Sequence, residues 1–182
     1  MSNDADNLQR IRRASRRLQR VLQVCLVLVP SVSLVLWLLI NVVPQTMQSS
    51  VLPHYVQLPL PLWGRLLGFL ASMVPGGVVM YGIVVLMRLF RQYEEGRVFG
   101  PENVRCFRSL SRILVLWFVA SILSVPVKSL VLTLHHPPGQ HYLELSLGSP
   151  DLTALLVGLV VGVIAWVMEE GRKLQEEQDY TI

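Results

Sequence analysis

The sequence predicts an all-α integral membrane protein with four transmembrane helices. Four long apolar stretches occur in the chain, at 21–43, 66–87, 113–134 and 152–168. Lys128 is the only charged residue in these stretches, and hydrophobic residues make up 52% of the whole chain. A helix of about 20 residues crosses a hydrocarbon core of roughly 30 Å. Because lipid offers the backbone no hydrogen-bond partners, stretches of this length must cross it as helices.

The positive charges lie almost entirely on one side of these stretches. All of the 16 Lys and Arg residues except Arg65 and Lys128 fall before the first stretch, between the second and third, or after the fourth. Cytoplasmic segments of membrane proteins are enriched in Lys and Arg. We therefore expect a multi-pass protein of a bacterial inner membrane with both termini in the cytoplasm. The same enrichment explains the net charge of +4, so we expect no direct nucleic-acid binding.

Three regions follow from this arrangement, namely a basic leader at 1–20, the transmembrane domain at 21–168 and a tail at 169–182. The leader contains six Arg residues. We interpret it as an orientation signal, with an amphipathic helix on anionic headgroups as the alternative. The first stretch is longer than the apolar region of a signal peptide, and no cleavage pattern of small residues follows it. We therefore expect it to be retained as a membrane anchor.

The two connections predicted to face outward contain alternating patterns. At 55–63 and 142–147, apolar residues alternate with polar residues or proline, which is typical of extended segments. These segments could pair as a small β cap over the helices, although proline confines any strand to an edge. An irregular segment at the membrane interface is the alternative that the sequence leaves open.

All histidines of the chain fall in these outer connections, at His54, His135, His136 and His141. Imidazole groups bind metals and titrate near neutral pH, so the last three are candidates for an external metal or proton sensor. Their spacing matches no zinc motif. We interpret them as solvated loop residues and expect no metal and no cofactor.

Two features inside the stretches concern helix shape. Pro75, Gly76 and Gly77 predict a kink in the second helix, which either packs against small residues or exposes carbonyl groups to an ion. Gly158 and Gly162 lie four residues apart and allow another helix to approach closely. We expect that contact within the helical domain, with a homo-oligomer as the alternative.

Catalytic groups are missing from the apolar stretches. The stretches contain no histidine and no carboxylate beside their serines, so neither a nucleophile–base pair nor a carboxylate pair is available. Ion-coupled transport needs an ionisable group in its pathway, and Lys128 is close enough to the outer end to reach the interface. We therefore predict a protein that is not an enzyme, and the sequence disfavours transport.

Two motifs lie on the predicted cytoplasmic side. Between the second and third stretches, Gly96, Phe99 and Asn103 form a Gly-x-x-Phe-x-x-x-Asn pattern. The tail carries the pattern Gly-x-x-Leu-x-x-Glu-x-Asp-x-Thr-Ile, formed by Gly171, Leu174, Glu177, Asp179, Thr181 and Ile182. With these motifs and its four stretches, the chain resembles a bacterial family of four-helix membrane proteins, domain of unknown function 2975. The position after Phe99 is commonly serine in that family and is Gly100 here.

The resemblance implies a non-enzymatic membrane protein, often encoded beside a very small helix-turn-helix regulator. It therefore implies a regulatory or sensory role, in which the cytoplasmic motifs bind a small soluble partner such as that transcription factor. An oligomeric transport or permeability component is the alternative function. The apolar stretches themselves predict the lipid bilayer as a partner.

Overall fold

The computed structural model contains four long helices. They are α1 (Ser2–Leu39), α2 (Leu62–Glu94), α3 (Pro101–Thr133) and α4 (Ser149–Asp179). The structure describes residues 13–44, 52, 56, 59–95, 100–132 and 148–174 with their side chains, and the backbone alone at 2–12, 133 and 175–179. Throughout this described part of the chain there is no strand.

Each of the four helices is long and apolar enough to cross a membrane. The mean hydropathy of their most apolar windows lies between 2.0 and 2.4, which confirms the all-helical, four-span part of the prediction. At the end of the molecule that carries both termini, the helices extend beyond their apolar stretches. There α3 starts at Pro101, a position that suits proline because the N–H that proline lacks would have no intrahelical partner in the first turn.

The predicted β cap is not supported by the described residues. α2 begins at Leu62, so the alternating segment at 55–63 ends in a helix. Pro61 immediately precedes this helix with an extended backbone (φ −65°, ψ 159°), which explains how alternating Leu and Pro can precede a helix start. The second segment, 142–147, lies outside the described residues, as do all four histidines.

The helices form an open row. Successive helices run antiparallel, and the contacts lie between α1 and α2, between α2 and α3, and between α3 and α4. Among the described residues, α4 does not contact α1, whereas a closed four-helix bundle packs its helices around a shared core. The two outer helices therefore expose most of their apolar side chains, and in a bilayer these face lipid.

Apolar clusters at two levels hold the row together. The Trp37 cluster, at the end opposite the termini, contains Trp37, Ile40, Leu52, Leu60 and Leu132. The Val85 cluster, nearer the termini, contains Val85, Leu89, Cys106 and Ile113. The first cluster joins α1 to the last turns of α3 through the α1–α2 connection, and the second joins α2 to α3.

Trp37 is the largest side chain at the α1–α2 interface, and its ring lies on Gly68. It is 2% exposed, and its indole N–H donates to Ser72 Oγ at 3.0 Å. The Ser72 hydroxyl in turn donates to the Gly68 carbonyl at 2.9 Å. A side chain at Gly68 would overlap the indole ring, so this glycine is required for the close approach of the two helices.

Polar side chains close the end of the α1–α2 pair. Asn41 accepts a hydrogen bond from the Leu60 N–H through Oδ1 at 3.0 Å and donates one to the Leu60 carbonyl through Nδ2 at 3.1 Å. Arg65 donates from Nη1 to the Leu38 carbonyl at 2.9 Å. These bonds satisfy backbone groups that the helix ends leave without partners. Arg65 is one of the two basic residues outside the segments predicted to be cytoplasmic, and these bonds give it a structural role.

The α3–α4 interface is built around Ser111. Its hydroxyl donates to the Gly158 carbonyl at 2.7 Å, and a Cβ on Gly162 would lie 2.7 Å from Ser111 Oγ. A Cβ on Gly158 would lie 2.9 Å from the Leu114 Cβ. Both glycines of the predicted close-approach pair thus face α3, and their contact lies within the chain, as expected.

Candidate functional site

The polar ends of the four helices meet at the end of the row that carries both termini. We call this surface the terminal face and define it by residues 13–20, 88–95, 100–112 and 169–174. It contains both family-like motifs of the sequence, as far as the structure describes them. Its three helix–helix contacts are built differently, and they determine which motif residues a partner could touch.

The α2–α3 junction buries the last residue of the first motif. Asn103 is fully buried, and its N–H donates to the Gly100 carbonyl at 3.0 Å in the first turn of α3. The neighbouring Val104 is buried as well. Asn103 therefore shapes the junction from inside and is inaccessible to a partner. The other two motif residues, Gly96 and Phe99, lie outside the described residues.

A thiol and an amide join α2 to α3 just below this junction. Gln92 Nε2 donates to Cys106 Sγ at 3.8 Å, and Cys106 belongs to the Val85 cluster. Both groups lie on polar helix extensions beyond the apolar stretches. Burial raises the pKa of the Cys106 thiol and also that of the Tyr93 hydroxyl. A thiol held neutral in this way is a poor nucleophile, which suits a packing role.

Glu169 joins the start of the tail to α3. Its carboxylate lies 3.9 Å from Arg108 Nη2 and 3.6 Å from Arg172 Nη2. About two turns earlier on α4, Gly162 packs against Ser111. These contacts fix the direction in which α4 leaves the apolar region, and α4 stays helical to Asp179.

Beyond Glu169, the described tail residues are exposed except Arg172, which is half-buried. Leu174 is 56% exposed, and a side chain at Gly171 would meet nothing within 4 Å. The structure thus places these two tail-motif residues on the accessible surface of the terminal face. Glu177 and Asp179 lie in the helical part of the tail whose side chains are not described, and Thr181 and Ile182 lie outside the described residues.

The leader is part of α1 and packs against α2. α1 runs without interruption from Ser2 to Leu39, and Ser15 is buried. Arg16 Nε donates to Glu94 Oε1 at 2.6 Å. The leader therefore continues the first membrane helix, and its described arginines, Arg13, Arg16, Arg17 and Arg20, contribute to the terminal face.

The predicted kink region of α2 shows an unbroken helix. Pro75 lies inside α2 without interrupting it, and α1 and α3 contain further internal prolines, Pro30 and Pro126. A side chain at Gly77 would meet nothing within 4 Å. A Cβ at Gly76 would lie 3.1 Å from the Cε of Met73, on the same helix. Nothing among the described contacts completes an ion site there.

Asp151 is a polar residue whose position the sequence did not reveal. Its Oδ1 accepts a hydrogen bond from Ser121 Oγ at 2.7 Å, and its Oδ2 accepts one from the Gly148 N–H at 3.0 Å. Ser121 lies 12 residues before Thr133, the last residue of α3, which is about 18 Å of helix. α4 therefore begins well below the end of α3, and it brings a carboxylate to the level of the apolar stretches. The sequence did contain a signal for this helix start, because Pro150 followed by Asp151 is typical of the first turn of a helix.

These features define a multi-pass helical membrane protein, with apolar helices in contact with lipid and polar extensions at one end. The chain belongs to the family described as Protein of unknown function (DUF2975), whose model matches residues 44–182. The match confirms the family resemblance, includes both motifs and leaves out α1. No curated protein and no solved structure gives a significant match.

Proposed function

We propose that this protein is a non-enzymatic regulatory module of the bacterial inner membrane, with a terminal face that binds a small soluble partner in the cytoplasm. The observation that carries this proposal is the exposed tail helix, which bears Gly171 and Leu174 of the family-like motif. The partner of choice is a small helix-turn-helix regulator, which the family resemblance implies. Binding to the tail would hold such a regulator at the membrane, away from DNA.

The charge distribution supports a cytoplasmic terminal face. Arg13, Arg16, Arg17 and Arg20 lie on the first helix of this face, and the opposite end has Arg65 engaged in backbone hydrogen bonds. Clustered arginine before a first span normally retains that side in the cytoplasm. Both N-terminus and C-terminus then face the compartment where a transcription factor resides.

Leu174 supports a docking role for the tail. It follows the last apolar stretch by six residues, beyond the region where lipid would cover it, and is 56% exposed. Burying a leucine side chain contributes about 1.5–3 kcal/mol. Amphipathic helices use such residues as anchors in the groove of a partner. Glu169 fixes the root of this helix against Arg108, so the anchor is presented in a defined direction.

The test compares Leu174→Ala with Leu159→Ala. Both leucines are on α4 and both are 56% exposed, but Leu159 lies in the apolar stretch. Purified full-length variants are titrated with the helix-turn-helix protein encoded beside the gene, and binding is measured by interferometry. We expect Leu174→Ala to weaken binding about tenfold, which corresponds to about 1.4 kcal/mol, and Leu159→Ala to leave it unchanged. Equal affinities for both variants, or no binding by the wild type, would refute the proposal.

A second candidate function, ion-coupled transport as an oligomer, is favoured by Asp151. An ionisable group at membrane depth is a common feature of ion pathways, and the Asp151 carboxylate bonds Ser121 within the third apolar stretch. In proteoliposomes, transport predicts an ion or proton flux that Asp151→Asn abolishes. Glu170→Gln, which removes an exposed carboxylate from the same helix, should leave the flux intact. Absence of any flux in the wild type would exclude this candidate.

A further inference from the structure

A partly polar cavity lies between α1 and α2 at the terminal face. Its volume is about 250 Å³, and it is lined by Gln19, Gln23, Val84, Met87, Arg88 and Arg91. None of these residues belongs to the motifs or to the tail helix. The proposed binding of a soluble partner therefore does not explain this cavity.

The lining of the cavity changes from polar to apolar along the helix axes. Arg88 and Arg91 supply guanidinium groups from α2, and the two glutamines supply amide groups from α1. One turn deeper, Val84 and Met87 form an apolar floor. Met87 is the last residue of its apolar stretch, so the cavity lies at the boundary between the apolar helices and their polar extensions. Lipid headgroups occupy this level of a bilayer.

An apolar groove continues from the cavity along α1. Gln23 lines both spaces, and the groove runs past Val24, Val27, Leu28 and Val32. These valine and leucine side chains are exposed in the chain itself. Arg20 lies at the polar end of the groove. A ligand with an anionic head and an extended hydrocarbon tail matches the two spaces together.

The charges around the cavity favour an anion. Arg88 forms no ion pair within the part of the chain that the structure describes, and Arg91 Nε is 3.7 Å from Glu95 Oε1, with the two side chains 79% and 41% exposed. The other nearby carboxylate, Glu94, is engaged by Arg16. Guanidinium groups bind phosphate oxygens through paired N–H donors. Basic pockets between membrane helices bind anionic lipid headgroups on this principle.

We propose that the cavity binds the phosphate of an anionic phospholipid, with Arg88 and Arg91 on the phosphate and one acyl chain along the α1 groove. The site would couple α1 to α2 at the terminal face through the lipid. It would also make the position of the leader depend on the anionic lipid content of the membrane.

The experiment measures the immobilised fraction of spin-labelled phosphatidylglycerol and phosphatidylcholine by electron paramagnetic resonance, with the full-length protein in vesicles of phosphatidylcholine. We expect the wild type to prefer phosphatidylglycerol. Arg88→Gln/Arg91→Gln should lower that preference, by about fivefold in relative association constant for each arginine. The control Arg105→Gln/Arg112→Gln removes the same charge from exposed positions on α3 and should retain the preference.

A second variant and a competitor complete the test. Val84→Phe fills the cavity while both arginines remain, and it should also lower the preference. Millimolar inorganic phosphate should not displace the labelled lipid, because it cannot occupy the groove. The proposal is overturned if the wild type holds both lipids equally, if the control loses the preference as strongly as the cavity variants, or if inorganic phosphate displaces the lipid and so identifies a soluble phosphate site.

Discussion

Replacing Gly68 with alanine tests the packing that holds α1 to the rest of the row. The Trp37 ring lies where a Cβ on Gly68 would be placed, and the ring is held by the hydrogen bond to Ser72 and by the Trp37 cluster. The ring must therefore move away from α2 in the variant. Gly77 on the same helix offers a matched control, because a side chain there meets nothing within 4 Å.

The size of the effect follows from the contacts that the ring loses. Adding a methyl group to a packed interface costs about 1–3 kcal/mol. The hydrogen bond from Trp37 to Ser72 contributes about 0.6 kcal/mol more if it breaks, the average for such bonds between membrane helices. The gain in helix propensity from glycine to alanine is about 0.8–1 kcal/mol and is the same at both positions. We therefore expect Gly68→Ala to be less stable than Gly77→Ala by about 1.5–3.5 kcal/mol.

The assay is reversible unfolding of the purified protein in mixed micelles of increasing sodium dodecyl sulfate content, followed by circular dichroism. A Trp37→Leu background supplies a further check, because the smaller side chain leaves room for the alanine. In that background the cost of Gly68→Ala should fall to that of Gly77→Ala. The reasoning fails if Gly68→Ala and Gly77→Ala unfold at the same point in the wild-type background.

Three further predictions concern the α3–α4 contact, the leader and the topology. Gly162→Val should lower the unfolding midpoint, because a Cβ at this position would lie 2.7 Å from Ser111 Oγ. The control Gly171→Val, where the space is open, should leave the midpoint unchanged. Equal midpoints for the two variants would contradict this packing. Glu94→Gln should lower the free energy of unfolding by less than about 1 kcal/mol, because its arginine partner is 67% exposed; a loss of several kcal/mol in chemical denaturation would show that the pair matters more than its exposure allows. Leu174→Cys, in a background without the two natural cysteines, should react with an impermeant maleimide only after spheroplasts are lysed. Labelling of intact spheroplasts would show that the terminal face lies outside the cytoplasm.

The helices were predictable from the sequence because the requirement that fixes them is local. A backbone in lipid must satisfy its own hydrogen bonds within one segment, so a long apolar run directly indicates a helix. Pro101 and the polar residues around it similarly mark the start of α3. The order of helices along the row was not predictable in this way. Hydropathy does not separate a side chain that faces lipid from one that faces another helix, because both surroundings are apolar.

The candidate site was predictable in its location but not in its details. Both motifs were expected at the polar helix ends, and the described parts of both lie on the terminal face. Asn103 was a candidate for partner binding, yet it is fully buried, because the junction of two helices encloses it. The level of Asp151 depends on where α4 begins relative to α3, and no single segment carries that information. The partners Trp37 and Gly68 are likewise separated in the chain and meet only through helix pairing.

The open row has a consequence for how the protein is made. Every described helix–helix contact joins neighbours along the chain, so each new helix leaving the ribosome finds its partner already in the membrane. No early helix must wait for the last one to close a ring, and the entropy of closing long loops does not delay assembly. α2 to α4 lie within the family match, and α1 joins them at one edge. Synthesis from the N-terminus can therefore proceed as a series of hairpins, although the Trp37 cluster is complete only when Leu132 of α3 joins it.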